Sequence, residues 1–238
     1  MTVKTPRLYI CDPIAIGEEI NLLPAQMHYL GGVLRMKDGD SVRIFNGQDG
    51  EWMSSFHPQN KKVGCLTPTK NLRPQPSMSA RVHLLFAPIK KQRMDFLVEK
   101  AVELGVTDFH PLLTQNTEVR KLNEERIHAQ IIEAAEQCER LTLPKLHALD
   151  KLETACQHWA REVPLLVGLE RHDCLPIAEA KVQQHGSDVS FLVGPEGGFT
   201  QIESEMLCGL DHVTPVNLGD TILRAETAAL YGLVHLCS

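Results

Sequence analysis

The chain has 238 residues, 43% hydrophobic and 23% charged, enough to bury one large core or two smaller ones. Its seven cysteines, at 11, 65, 138, 156, 174, 208 and 237, are odd in number and never spaced as C-x-x-C, which speaks against a disulfide framework and a zinc knuckle and suits a reducing cytoplasm. The net charge of -6 hides an asymmetry, because residues 1–75 hold nine Lys+Arg against seven Asp+Glu while the remainder hold fifteen against twenty-three; a nucleic-acid partner is permitted but not predicted, and no apolar run is long enough for a membrane span.

From Arg7 onward the sequence reads as short β segments broken by turns: SVRIF (41–45), EWMSSF (51–56) and VGCLTP (63–68). Such runs predict a small barrel. Gln48-Asp49-Gly50 supplies hairpin chemistry between the first two, and residues 24–36 predict a helix with Met27, Leu30, Val33 and Leu34 on one buried face. TKNLRPQPSMS (69–79), with two prolines and no large apolar cluster, predicts an extended linker. The domains are accordingly placed at 1–72 and 73–238.

Beyond the linker, apolar runs alternate with helical periods, the mark of an α/β domain. VHLLFAP (82–88) precedes a helix whose inward face is Met94, Leu97, Val98, Ala101 and Val102, closed by Gly105. FHPLL (109–113) precedes a helix over 123–138 facing inward with Ile127, Ile131, Ala135 and Cys138. VPLLVGL (163–169), DVSFLVG (188–194) and HVTPVNLG (212–219) complete five near-continuous apolar strands, which predict a parallel sheet covered on both faces.

Two glycine-bearing loops leave the ends of late strands, where ligands of open α/β sheets bind. GPEGGF (194–199) runs into the capping-box pattern Thr200-Gln201-Ile202-Glu203, and LGDTILR (218–224) runs into AETAALYGLV. The first strand is followed by IKKQRMD, with no glycine, which weakens a Rossmann reading. A P-loop is excluded because G-x-x-x-x-G-K-[ST] is absent. Glycines at strand ends are often only turn chemistry, Arg224 and Glu226 have the character of a solvated pair, and Glu136 with Arg140 has the spacing of a surface salt bridge. The eleven histidines are dispersed without a catalytic or metal signature, so no metal site is expected.

Six ordered segments along nearly the whole chain resemble the SPOUT-superfamily methyltransferases that act on uridine N3 of 16S rRNA. They are HYLGGVLRMKDGD (28–40), FNGQDGEW (45–52), KKQRMDFLVEKAVELGVTDFHPL (90–112), AAEQCERLTLP (134–144), VGPEGGFTQIE (193–203) and LGDTILRAETAAL (218–230). The resemblance implies an N-terminal PUA-like β-barrel that holds RNA and a C-terminal α/β domain with a parallel sheet and a deep trefoil knot. It also implies a homodimer and S-adenosyl-L-methionine lying in the knot. By motif match the cofactor residues are Leu166, Gly168, Gly194, Glu196, Gly197, Leu218, Gly219, Ile222, Leu223 and Thr227.

Uridine N3 must lose a proton before it accepts a methyl group, and a guanidinium near O2 and O4 would stabilise the anion. On that reasoning Arg224 is the catalytic candidate, with Glu226 two residues on as the candidate base. The RNA candidates are Arg7, Arg35, Lys90, Lys91 and Arg93, followed by Arg120 and Arg140, which can pair with phosphates. The implied substrate is 16S rRNA within the assembled 30S subunit, and the target base must leave its stack to be reached. One departure is visible: Thr221 stands where the third motif commonly has an arginine. Two other readings remain, a superfamily enzyme methylating a ribose 2′-OH or a different base, and a non-catalytic RNA-binding or ribosome-assembly protein.

Overall fold

The computed structural model describes residues 5–77, 80–169, 174–182 and 188–237. The chain divides into two compact units, Met1–Ser77 with Ala135–Leu143, and Met78–Ala134 with Pro144–Ser238. The boundary thus falls five residues beyond the expected one, and the first unit also takes a later segment, AEQCERLTL.

The first unit contains β1 (Arg7–Tyr9), β2 (Ile20–Asn21), α1 (Pro24–Met27), β3 (Ser41–Phe45), β4 (Glu51–Pro58) and β5 (Gly64–Arg73). Its five strands run in the order β1-β3-β4-β5-β2. The sheet curls about one apolar core that draws Leu8, Ile20, Ile44, Phe56 and Leu66 from all five strands. The hairpin between β3 and β4 forms as expected, with Asn46 Oδ1 accepting from the Gln48 and Asp49 amides.

Two expectations for this unit are corrected. The helix over 24–36 is four residues of α1 followed by a π-helical turn, His28–Val33. Met27 and Leu30 are buried, but Val33 and Leu34 are exposed, because the wider i→i+5 winding through Gly31 and Gly32 rotates them off the face. The linker also begins later than expected. Residues 69–73 continue β5, pairing as Met53↔Lys70, Trp52↔Asn71 and Glu51↔Arg73, and Pro68 is accommodated beside a register shift. Pairing with β4 overrode local composition there.

The second unit comprises β6 (Val82–Phe86), α2 (Lys91–Glu103), β7 (Asp108–Leu113), α3 (Glu124–Gln137), β8 (Lys145–Leu146), β9 (Asp150–Lys151) and α4 (Leu152–His158). These are followed by β10 (Leu165–Gly168), β11 (Leu175–Pro176), α5 (Ile177–Val182), β12 (Val189–Val193), α6 (Gln201–Cys208), β13 (Val213–Asn217) and α7 (Ala225–Cys237). The last three residues of α3 belong to the first unit, since the second unit's segment ends at Ala134.

All strand pairs of this sheet are parallel, in the order β11-β13-β10-β12-β6-β7-β8, with β9 added to β7. The five expected strands form its centre. The face expected for α2 is the buried one, from Met94 to Val102, and each of its Met, Leu and Val side chains stabilises by roughly 1.5–3 kcal/mol relative to exposure. Helix α7 lies close on β12 because Gly232 has no side chain: a Cβ there would sit 2.3 Å from Cε1 of the fully buried Phe191. Among the described residues, no helix is long and apolar enough to cross a membrane.

Candidate active site

Three neighbouring strands, β13, β10 and β12, end side by side, and the loops that leave them enclose one cavity of about 820 Å³. That size falls within the range of small-molecule and cofactor sites. Gly168 and Leu169 come from the end of β10, residues 193–199 from the end of β12, and residues 217–225 from the end of β13. Strand order therefore gathers segments that lie far apart in the chain.

Each loop is held by its own hydrogen bonds. Asn116, in the loop after β7, donates from Nδ2 to the Gly197 and Gly198 carbonyls at 3.2 and 3.1 Å, while Gly198 itself takes a left-handed φ of 65°. The expected capping box forms at α6: the Glu203 amide donates to Thr200 Oγ1 and Glu203 Oε2 accepts from the Thr200 amide. Glu203 Oε1 also accepts from the Gln115 amide at 2.7 Å, so this buried carboxylate ties two loops together. After β13, Asn217 Oδ1 accepts from the Gly219 amide, and Gly219 adopts φ 116°, which a side chain would strain.

Of the ten residues expected to hold a cofactor, Gly168, Gly194, Glu196, Gly197, Leu218, Gly219, Ile222 and Leu223 line the cavity. Leu166 and Thr227 do not. Leu166 is completely buried within β10, paired with Phe191 and Thr214, two residues short of the loop. Thr227 is exposed on α7, whose Ala225 and Ala228 face the cavity instead. The resemblance did not single out Asn116, Phe199, Ser204, Asn217 or Asp220. Asn217 had a legible signal in its position before Leu-Gly, where an Asx turn is common.

Arg224 is exposed on the cavity wall, with no ion pair or side-chain hydrogen bond among the described residues. Glu226 is different from expectation. It is 8% exposed and outside the cavity lining; its Oε1 lies 3.6 Å from Nε of Arg93, and Oε2 has no partner among the described residues. Arg93 does line the cavity and also lies 3.6 Å from Glu196, so it bridges the two carboxylates. Glu226 is thus placed against Arg93.

The cationic candidates separate in the structure. Arg7 is corrected: its side chain is 3% exposed and fully engaged, with Nε on Glu51 at 2.7 Å and the other nitrogens donating to the Ala135, Glu136 and Arg140 carbonyls. Burial lowers this guanidinium from its ordinary 12.5, but it stays a cation, so its charge serves the fold. Arg140 Nε donates to Thr142 Oγ1 beside that network. Arg35 is exposed at φ 55°, ending the π-helical turn. Lys90 caps α2 and pairs with Glu118 at 3.0 Å, Lys91 opens that helix, and Arg120 is exposed with Nη2 donating to the Gln115 carbonyl. The first turn of α2 carries no acidic residue. Three cations thus stand at the positive end of a helix dipole, Lys90 offset by Glu118 and Arg93 by Glu196 and Glu226.

A parallel sheet with a glycine-lined cavity at the ends of three late strands, flanked by a cationic helix start, is an arrangement suited to a small-molecule ligand with an anionic one beside it. A sequence model of the RNA methyltransferase domain matches residues 76–236, and one of the RNA methyltransferase PUA domain matches residues 24–54. The chain belongs to the family of the ribosomal RNA small subunit methyltransferases E. It is 32% identical to the enzyme of that name from Rickettsia conorii, covering 98% of this chain and 96% of the relative, and 31% identical to that of Bacillus subtilis, covering 87% and 85%. Among solved structures, a Legionella pneumophila protein described as a methyltransferase, in complex with bound SAM, superposes with a TM-score of 0.87 at 30% identity, covering 98% and 97% of the two chains. The Neisseria gonorrhoeae ribosomal RNA small subunit methyltransferase E, bound to S-adenosyl methionine, gives 0.86 at 25%, covering 97% and 96%.

Proposed function

We propose that this chain transfers a methyl group from S-adenosyl-L-methionine to N3 of one uridine of 16S rRNA, acting on the assembled 30S subunit in the cytoplasm. The observation that carries this reading is the convergence of three loops into one cavity with the unpaired Arg224 on its wall. The bound SAM of the Legionella and Neisseria structures supports the choice of donor.

The residues present fit that group. Gly194, Gly197 and Gly219 let backbone approach a ligand closely, Leu218, Ile222 and Leu223 offer apolar cover, and Glu196 and Asp220 place carboxylates where a sulfonium or ammonium would be held. When bound, the cofactor supplies an already activated methyl group. The protein's work is orientation and charge: N3 gives its proton to solvent water, the Arg224 guanidinium stabilises the resulting uridine anion at O2 or O4, and Glu226 holds Arg93 at the cavity edge. Lys90, Lys91 and Arg93 receive phosphates beside the cavity, and Arg35, Arg120 and Arg140 are read as further phosphate contacts, each within its own unit.

The curled sheet of the first unit is read as the PUA-like barrel, supported by the match over 24–54. The loops after β12 and β13 are read as the trefoil knot. A homodimer is supported by Phe96 of α2 and Tyr231 and Val234 of α7, apolar side chains 46%, 40% and 50% exposed on helices that pack together, and by Ile222, 63% exposed at the cavity.

The test is methyl transfer from labelled S-adenosyl-L-methionine to unmodified 30S subunits, followed by nucleoside mass spectrometry. 3-Methyluridine at one site is the expected product. A 2′-O-methyl nucleoside would replace the reaction assigned here, and no cofactor binding would restore the non-catalytic reading.

A further inference from the structure

The second unit carries another cavity, of about 510 Å³, lined by His83, His110, His147, His158, Asp150 and Trp159 among others. It lies along one face of β6 and β7, whereas the first cavity gathers at the C-terminal ends of β10, β12 and β13. Nothing in the proposed methyl transfer uses these residues.

Register explains the cluster. Parallel pairing sets His83 beside Asp108 and Leu85 beside His110, and the period of two puts all four on one face of the sheet. On the other side β7 pairs with β8, and the next residue, His147, stacks its ring on His110 at 3.9 Å with a 17° interplanar angle. The result is that His83 Nδ1 and His110 Nε2 stand 3.1 Å apart, with Asp108 Oδ2 3.8 Å from His83 Nδ1. One nitrogen, one nitrogen and one carboxylate oxygen lie within 4.8 Å of one another.

We propose that His83, His110 and Asp108 form a binding site for a divalent transition-metal ion of the zinc type, opening onto this second cavity. Two imidazoles ligating one ion at about 2.0–2.1 Å in tetrahedral geometry have their nitrogens about 3.3–3.4 Å apart, close to the spacing present here. Imidazole with carboxylate is a donor set suited to Zn²⁺ and its neighbours, and three protein ligands leave a coordination position facing the cavity.

The surroundings have the features that orient metal ligands. His147 Nε2 lies 2.8 Å from Asp108 Oδ1, and the Thr107 hydroxyl donates to Asp108 Oδ2, so the carboxylate is fixed from two sides. Trp159 meets the His83 and His110 rings edge-on at 5.3 and 5.2 Å, which holds both imidazole planes.

The test uses the full chain, stripped with a chelator and titrated with Co²⁺ alone. One ion per chain is expected, with the visible d–d absorption of a four-coordinate nitrogen and oxygen site, no thiolate charge-transfer band, and displacement by Zn²⁺. His110→Gln and Asp108→Asn should each abolish that band with the circular dichroism unchanged, and His147→Ala should weaken binding about 10–100-fold. His28→Ala, at an exposed histidine of the first unit, should change nothing. Absence of saturable binding by the unmodified chain would overturn the proposal, as would a thiolate spectrum or a band that survives both ligand substitutions.

Discussion

Arg7 donates from Nε to Glu51 Oε1 at 2.7 Å, with both side chains almost wholly shielded from water, and the same guanidinium holds the carbonyls of Ala135 and Arg140. Glu51 is reached a second time by Arg73 Nε at 2.8 Å. The AEQCER stretch is therefore fastened within the first unit by backbone carbonyls that no residue pattern displays. Arg7→Ala leaves a buried carboxylate short of its main partner and should cost about 3–5 kcal/mol. A urea unfolding midpoint unchanged from the parent chain would contradict this role.

The same carboxylate predicts an acid response. Burial by itself would raise Glu51, but the hydrogen bonds and charges of Arg7 and Arg73 outweigh it and hold the group below its ordinary 4.5. A depressed folded value means that the stabilisation is complete above pH 4.5 and lost as pH falls through the folded value. Glu51→Gln should be less stable at neutral pH, and the gap between the two proteins should close below pH 4.5. Denaturant melts across that range measure it.

Gly232→Ala tests the approach of α7 to the sheet. Alanine favours a helix by about 1 kcal/mol over glycine, but its Cβ would stand 2.3 Å from the Phe191 ring, which is fully buried and has no room to retreat. Overpacking should win, with a net loss of about 1–3 kcal/mol by thermal or urea unfolding.

Gly194→Ala probes the cavity. The added Cβ would meet the Phe199 ring at 3.0 Å, and Phe199 forms part of the lining, so relief of the contact moves the ring at the expense of the ligand space. Affinity for S-adenosyl-L-methionine should fall about tenfold, the equivalent of about 1.4 kcal/mol, in a calorimetric titration.

Arg224→Ala separates binding from chemistry on the proposed function. Retained cofactor affinity with methyl transfer reduced about 10²–10³-fold is expected, since one charge-stabilising donor is removed from the wall. Unchanged turnover on 30S subunits would take Arg224 out of the mechanism.

Periodicity alone was enough for the second unit's central strands and for the inward face of α2, because those elements bury residues at a regular spacing that local sequence records. The Thr200 capping box was legible for the same reason: donor and acceptor lie three residues apart. The π-helical turn at His28–Val33 was not, since apolar spacing cannot show whether the backbone closes i→i+4 or i→i+5. Nor could composition show β5 running through Lys70 to Arg73, where the deciding partner is β4.

For the sites, sequence by itself determined which loops carry glycine and which helix start carries cations, because each is a contiguous string. Only tertiary structure decided that loops from β10, β12 and β13 share one cavity, that Arg7 faces the interior and Glu226 faces Arg93, and that dispersed histidines meet on one sheet face. In each case the deciding quantity is strand order and register, which arise from pairing between segments distant in the chain and leave no mark on the residues flanking either partner.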